Sequence, residues 1–279
     1  MNCYKYDYIK FEHGILDNII DAVYVLLLDG SDRTKNVYKQ IKKFKLCKNN
    51  YIQINKGYKK CKKDLIEQNS KYDIQHSNYK CCIHAKKFNN ILILEDDFVL
   101  DTRILNKNII NDLKLFINNN EFNVYSLGNL WGHVINILNF KHPILRIVNG
   151  SHSMIWSKKS RKGYIRDVNN KIYSYKDQYL TSLDKKYTYY KQLCYQTYTQ
   201  TENYKSWKNI VTDIIYPTLE LDQKPKYGFF LLNICSNLLH SQINISYIFL
   251  KRSNIKEVLI FIIIIIFLAM KFLNNKYLN

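Results

Sequence analysis

Glu95, Asp96 and Asp97 stand side by side after four aliphatic residues in the run ILILEDDFVLDT, residues 91–102. Three adjacent carboxylates repel one another, and at the half-buried end of a strand they are unfavourable without a cation. A divalent metal reverses that balance by favouring ionised carboxylates. Mn2+ or Mg2+ takes oxygen ligands, and Mg2+ is commonly held by one or two carboxylates plus the phosphates of a substrate. Such an ion would neutralise a diphosphate leaving group. The same three residues could instead open a loop, cap the next helix or pair with nearby lysines, and periodicity alone leaves these readings open.

The elements around the carboxylates read as an α/β sheet. Short aliphatic runs alternate with polar segments: VYVLLLD (23–29), TKNVYKQIKKFKL (34–46), YIQIN (51–55), a lysine-rich stretch (57–88), then ILILEDD (91–97). Apolar runs of four to eight residues bounded by polar ones suit strands buried on both faces, and helical segments between them point to parallel βαβ units. Leu105, Ile109, Leu113 and Phe116 recur at spacings of three and four, which predicts an amphipathic helix over 104–119. Strands are expected at 122–127, 144–148 and 152–156, with a helix over about 157–166. In an open α/β sheet ligands collect at the carboxyl ends of strands, where 95–97 should lie. No internal repeat is visible, and beyond Asp177 the tyrosine-rich pattern is hard to read.

Composition bounds the protein without naming it. The 279 residues are 47% hydrophobic, enough for one large domain with an appendage. Lys plus Arg total 42 against 23 Asp plus Glu, a formal net charge of +19 that would attract polyanions. The lysines are scattered and form no helical stripe, so solvated decoration is favoured over a dedicated nucleic-acid surface. The abundance of Lys, Asn, Ile and Tyr, with only 8 Gly and 3 Pro, is the bias of an AT-rich genome and suggests a large DNA virus of protists or a similarly biased organism.

Cys3, Cys47, Cys61, Cys81, Cys82, Cys194 and Cys235 are odd in number and contain no CxxC. This fits neither a disulfide framework nor a zinc site, and reduced thiols on the cytosolic side are expected. The N-terminus has no apolar core of signal-peptide length. Residues 258–270, VLIFIIIIIFLAM, are uncharged and aliphatic, close to the length of a span if Lys271 snorkels. They read as a C-terminal hydrophobic helix anchoring the chain in a membrane across 257–273, with Lys251, Arg252 and Lys256 keeping the preceding residues cytosolic. A buried apolar element is the alternative. Residues 228–250 are a weaker second candidate. The expected organisation is an N-terminal extension (1–21), a catalytic domain (22–205), a connecting region (206–256) and the anchor.

The segment VYVLLLDGSDRTKNVYKQIKKFKL resembles the opening of glycosyltransferase family 25, the lipopolysaccharide and collagen β-galactosyltransferase group. ILILEDDFVL is similar to that family's Leu-Glu-Asp-Asp motif, and Gln75-His76 stands nineteen residues before Glu95, where the family carries a Ser-His pair. Downstream, GSHSMIWSKKSRKGY (150–164), YKDQYL (175–180) and TYYKQLCYQT (188–197) resemble later family elements in the right order. The acidic motif is the most specific of the six. The resemblance covers residues 22–205 and implies a GT-A-like fold, a nucleotide-diphospho sugar donor such as a UDP-sugar, a protein or glycan acceptor, and Mn2+ or Mg2+.

It also implies roles. Asp97 would coordinate the metal, with Glu95 orienting the pair and Asp96 bonding the donor ribose or sugar. Asp29 and Arg33 would meet the nucleotide, with Arg33 able to fork onto a phosphate; on local grounds they could equally be a helix cap and a surface ion pair. His76 would contact the donor or help hold the metal, or be a satisfied structural histidine. Asp177 would be the general base for the acceptor hydroxyl, or simply the start of a helix. Two other classes stay open. One is a catalytically inactive, membrane-tethered scaffold of the same fold that holds RNA or an acidic partner on its basic face. The other is a metal-dependent nuclease, for which no catalytic Lys or His lies at close spacing.

Overall fold

A computed structural model describes residues 2–128, 131–134, 141–172 and 175–196. The chain divides into two units, Met1–Asn203 and Tyr204–Asn279, and every described residue lies in the first. The expected connecting region, the second candidate span and the 257–273 anchor lie outside the described residues. Among the described residues no helix is long and apolar enough to cross a membrane.

The strands are β1 (Tyr4–Lys10), β2 (Ala22–Leu28), β3 (Asn49–Asn55), β4 (Asn90–Glu95), β5 (Phe98–Leu100), β6 (Val124–Gly128), β7 (Trp131–Val134), β8 (Leu145–Asn149), β9 (Ser153–Ser157), β10 (Lys186–Thr188) and β11 (Cys194–Gln196). The helices are α1 (Thr34–Phe44), α2 (Ser70–His84), α3 (Lys107–Asn119), α4 (Lys158–Asn169) and α5 (Lys176–Ser182). Seven strands form the central sheet in the order β1-β3-β2-β4-β9-β6-β10. β3, β2 and β4 are mutually parallel, β9 runs antiparallel to β4 and β6, and β10 is parallel to β6. The result is a mixed α/β domain with a mostly parallel sheet.

The sequence of β2 shows why it sits in the middle. Val23, Val25 and Leu27 enter one apolar cluster with Val37, Ile41 and Phe44 of α1 and Leu113, Phe116 and Ile117 of α3. Ala22, Tyr24 and Leu26 enter another with Cys81 and Cys82 of α2, Tyr164 of α4 and Tyr179 and Leu180 of α5. Period-two alternation between two apolar faces requires helices on both sides of the sheet. Each fully buried aliphatic side chain contributes roughly 1.5–3 kcal/mol relative to exposure. α1 ends at Lys45, which adopts a left-handed φ of 43° and donates its N–H to the Ile41 carbonyl, while Lys42 and Lys43 oppose the negative end of the helix dipole.

Three features depart from the expected pattern. Residues 1–21 were read as an extension, but Tyr4–Lys10 form an edge strand paired antiparallel with β3 from Tyr4↔Asn55 to Lys10↔Asn49. An edge strand buries only part of one face, so its alternating Tyr and Lys carry little apolar signal. The helix expected from 104 begins instead at Lys107, because Asp101 and Asn106 each accept a backbone N–H two residues on and break the segment into a 3-10 turn and a helix. Leu105 is therefore 46% exposed and lies off the buried stripe. Finally, Cys3 and Cys61 form a disulfide across 58 residues, which corrects the reduced-thiol expectation for that pair. Cys47, Cys81, Cys82 and Cys194 are free and buried.

Replacing both Cys3 and Cys61 with Ser should lower stability by about 2–4 kcal/mol, since the bond closes a long loop in the unfolded chain. Urea midpoints of the two proteins would read this. Equal midpoints would mean the bond does not constrain the unfolded chain.

Candidate functional site

The carboxyl ends of β2, β3 and β4 form one rim. The Asp29 N–H donates to the Asn55 carbonyl at 2.7 Å, so the turn after β2 is tied to the end of β3. Gly30 follows with φ +78°, a conformation that side chains rarely adopt. The Ser31 hydroxyl then donates to Asp96 Oδ2 at 3.3 Å, and Arg33 donates from Nη1 to Asp96 Oδ1 at 2.7 Å. The same Nη1 lies 3.9 Å from Asp97 Oδ2. The β2–α1 turn and the end of β4 are thereby joined through Asp96. Burial works against the charged form of Arg33, but Asp96 and Asp97 together outweigh it and hold the guanidinium pKa above its ordinary value.

Glu95 is held from the other side. Lys176, at the first position of α5, is buried and donates to Glu95 Oε1 and, at 3.1 Å, to the Ser151 carbonyl. Desolvation disfavours the ammonium, yet Glu95 and Asp177 overcome it and raise its pKa. The Glu95 N–H donates to the His152 carbonyl at 2.9 Å. The imidazole of His152, 2% exposed, faces the Gly150 carbonyl through Nδ1 at 2.9 Å and the Cys194 carbonyl through Nε2 at 3.3 Å. Burial pushes its pKa down. β11 reaches this point by pairing with β5 just after the acidic run, and Gly128 leaves room for it, since a Cβ there would lie 1.8 Å from the Cys194 oxygen.

The residues singled out in the sequence are distributed unevenly. Glu95, Asp96, Asp97 and Arg33 are brought together, with Asp97 buried. Asp29 lies on the same rim, exposed, two residues before Ser31. Arg33 does not fork outward: its side chain is 12% exposed and its guanidinium is turned onto Asp96. Asp177 joins the cluster indirectly. Its two oxygens accept the Gly150 N–H, at 3.1 Å, and the Ser151 hydroxyl, so in this structure it fixes the loop before β9.

His76 stands apart from the carboxylates, on α2, where Nδ1 meets the Tyr4 hydroxyl at 2.7 Å and the ring stacks near Tyr79. Burial, aided by Lys80 and Lys63, pushes its pKa down to about 4. These contacts describe a structural histidine.

Sequence reasoning missed Lys176, Ser151, His152 and Ser31. Lys176 is one of 42 basic residues, and adjacency to Asp177 was its only local signal. Among the described residues no three His, Cys, Asp or Glu side chains gather to enclose a metal. Asp97 supplies a buried carboxylate beside Asp96, an oxygen donor of the type that could hold Mn2+ or Mg2+ together with substrate phosphates. Four carboxylates, Glu95, Asp96, Asp97 and Asp177, interact with two cations, Arg33 and Lys176. No protein-family model matches the chain, and no curated protein matches it.

Two outcomes follow from this geometry. Lys176→Met leaves Glu95 without its buried counter-charge and should cost about 3–5 kcal/mol in urea unfolding, while Lys176→Met with Glu95→Gln should recover part of that loss. Strict additivity of the two changes would show that the pair is not coupled.

The second outcome concerns pH. His76 titrates near 4 when folded but near 6.5 when unfolded. Between those values the unfolded chain binds a proton that the native state does not, so stability falls as pH drops from about 6.5 towards 4. His76→Gln should therefore lose less stability between pH 7 and pH 5 than the unaltered protein. The same loss in both proteins would contradict this.

Proposed function

We propose that the domain is a GT-A-like glycosyltransferase that moves a hexose, galactose or glucose, from a nucleotide-diphospho sugar to a hydroxyl of a protein or glycan acceptor. The observation that carries this reading is the junction of the β2–α1 turn with Asp96 at the carboxyl rim of a mostly parallel sheet. Ligands of open α/β sheets bind at that rim, and the two segments that meet there are those resembling glycosyltransferase family 25.

In this reading Asp97, with the Glu95–Asp96 backbone holding it in place, would hold Mn2+ or Mg2+, which when bound supplies charge neutralisation for the departing diphosphate. Arg33 orients Asp96 and leaves its second oxygen near Ser31. Asp29, exposed on the turn, is placed to meet the nucleotide. An inverting transfer needs a base within reach of the acceptor hydroxyl, and Asp177 fills that role once one oxygen releases Ser151 or Gly150. Lys176 couples this acceptor side to the carboxylates through Glu95. The disulfide favours an oxidising compartment over the cytosol for this domain, with the C-terminal segment still the proposed membrane attachment.

One observation favours a second reading. Arg33 and Lys176 pair directly with Asp96 and Glu95, as an inactive scaffold of the same fold would require. The full chain and its Asp97→Asn variant, each incubated with Mn2+ and a panel of nucleotide-sugars, separate the two. Release of nucleoside diphosphate from one donor, reduced at least about 100-fold in the variant and abolished by chelator, is the expected result. No release from any donor, together with no metal-dependent change in melting temperature, would sink the transferase reading and leave the scaffold.

A further inference from the structure

The connection between β3 and α2 is fastened unusually firmly for a surface loop. Cys61 is bonded to Cys3. Lys63, its side chain 1% exposed, donates to Asp73 and Asn55. The Tyr58 N–H donates to Asp73 Oδ2 at 2.9 Å, and the Gly57 N–H donates to Asn55 Oδ1 at 2.9 Å. Gly57 itself has φ +75° and backs onto Leu28 of β2. Between these anchors the loop exposes Lys56, Lys59, Lys60 and Lys62, with no acidic residue from 56 to 63. Like charges this close repel, and the anchors hold them together against that repulsion.

The charge is delivered to a definite place. The Lys60 ammonium lies 3.8 Å from the position a Cβ on Gly30 would occupy, and among the described residues, the flanking Asp29 and Ser31 aside, no other atom comes within 4 Å of that position. Among the described residues no hydrogen bond or ion pair engages that ammonium. One residue further on, Ser31 touches Asp96. The rim thus has an anionic half, the carboxylates, and a cationic half, the lysine loop, with Gly30 between them, itself flanked by Asp29 and Ser31. Glycine lets a ligand approach the backbone closely, and lysine binds phosphate as a point charge. An anion set against the carboxylates alone would be repelled; over Gly30 it would be drawn to Lys60.

We propose that the 56–63 loop is an anion-binding rim, with Lys60 contacting a diphosphate laid over Gly30. The identity of that diphosphate as part of a nucleotide-sugar rests on the transferase reading; the anion site does not. The disulfide and the buried Lys63–Asp73 pair act as struts that keep Lys60 over the turn.

The test is calorimetric titration of the full chain with inorganic pyrophosphate and, separately, with UDP, at fixed Mg2+. The proteins compared are the unaltered chain, Lys60→Ala, Lys60→Arg and Lys10→Ala, the last at the opposite, amino end of β3. Lys60→Ala should weaken pyrophosphate binding at least about fivefold, since a hydrogen bond to a charged group is lost. Lys60→Arg and Lys10→Ala should bind as the unaltered chain does, and the Lys60 effect should shrink in 1 M salt. Equal affinity of Lys60→Ala and the unaltered chain, an equal loss in Lys10→Ala, or no pyrophosphate binding at all would each overturn the proposal. Lys60-dependent binding of pyrophosphate and UDP, with no nucleoside diphosphate released from any nucleotide-sugar, would uphold the anion rim while defeating the transferase reading.

Discussion

Adjacent carboxylates at the end of a buried strand must be compensated, and the rest of the rim is arranged around that requirement. β4 is apolar on both faces up to Leu94, so its last residue emerges from the core with three negative charges in succession. Two cations answer them from opposite directions: Arg33 from the start of α1 and Lys176 from the start of α5. Each sits at low exposure, where an unpaired charge is expensive and a paired one is tightly localised. The ion pairs therefore position the elements as much as they satisfy the charges.

That arrangement explains why segments far apart in sequence converge. Asp96 draws the β2–α1 turn inward. Glu95 and the Ser151 carbonyl share one ammonium, and Asp177 beside it holds the Gly150–Ser151 loop, so α5, the end of β4 and the entry to β9 form one linked unit. Loss of Lys176 would reach both the carboxylates and the Gly150–Ser151 loop. In the proposed reading a cation would be held at the carboxylates and an anion at the lysine loop across Gly30. A divalent ion with a diphosphate would match both halves, which is why the transferase reading is preferred to the scaffold even though the protein's own cations partly satisfy the carboxylates.

Away from the rim, buried polar groups are tied to backbone. Arg161, fully buried on α4, donates to the carbonyls of Asn89, Trp156, Ala85 and Phe88, closing the end of α2 against β9 with no carboxylate partner among the described residues. The buried Tyr125 hydroxyl and His142, with the half-buried Asp112, form a second set, joined side chain to side chain, that fastens the 141–144 segment to α3. These networks fix helices to the sheet away from the carboxylate rim.

The parallel core was legible in the sequence because a strand buried on both faces needs an uninterrupted apolar run, and β2 and β4 supply it within a residue of the observed limits. α1 was legible as a polar, helix-like segment between strands and α3 through its apolar spacing, and the carboxylates through a cluster of charge that a buried strand end does not carry without cause. Which cations would answer those carboxylates could not be read, because charge pairing depends on distance in space: Lys176 lies 81 residues from Glu95, and nothing local sets it apart from the other lysines. Arg33 was recognised but faced inward, since its nearest charge proved to be Asp96. β1 and the Cys3–Cys61 bond were invisible for the same reason, one being an edge strand whose partner is 45 or so residues away and the other a pair chosen from seven cysteines by proximity alone. Local pattern determined the strands, the helices and the presence of an acidic centre; tertiary packing decided the partners of that centre, because only folding brings separated charges within a few ångströms.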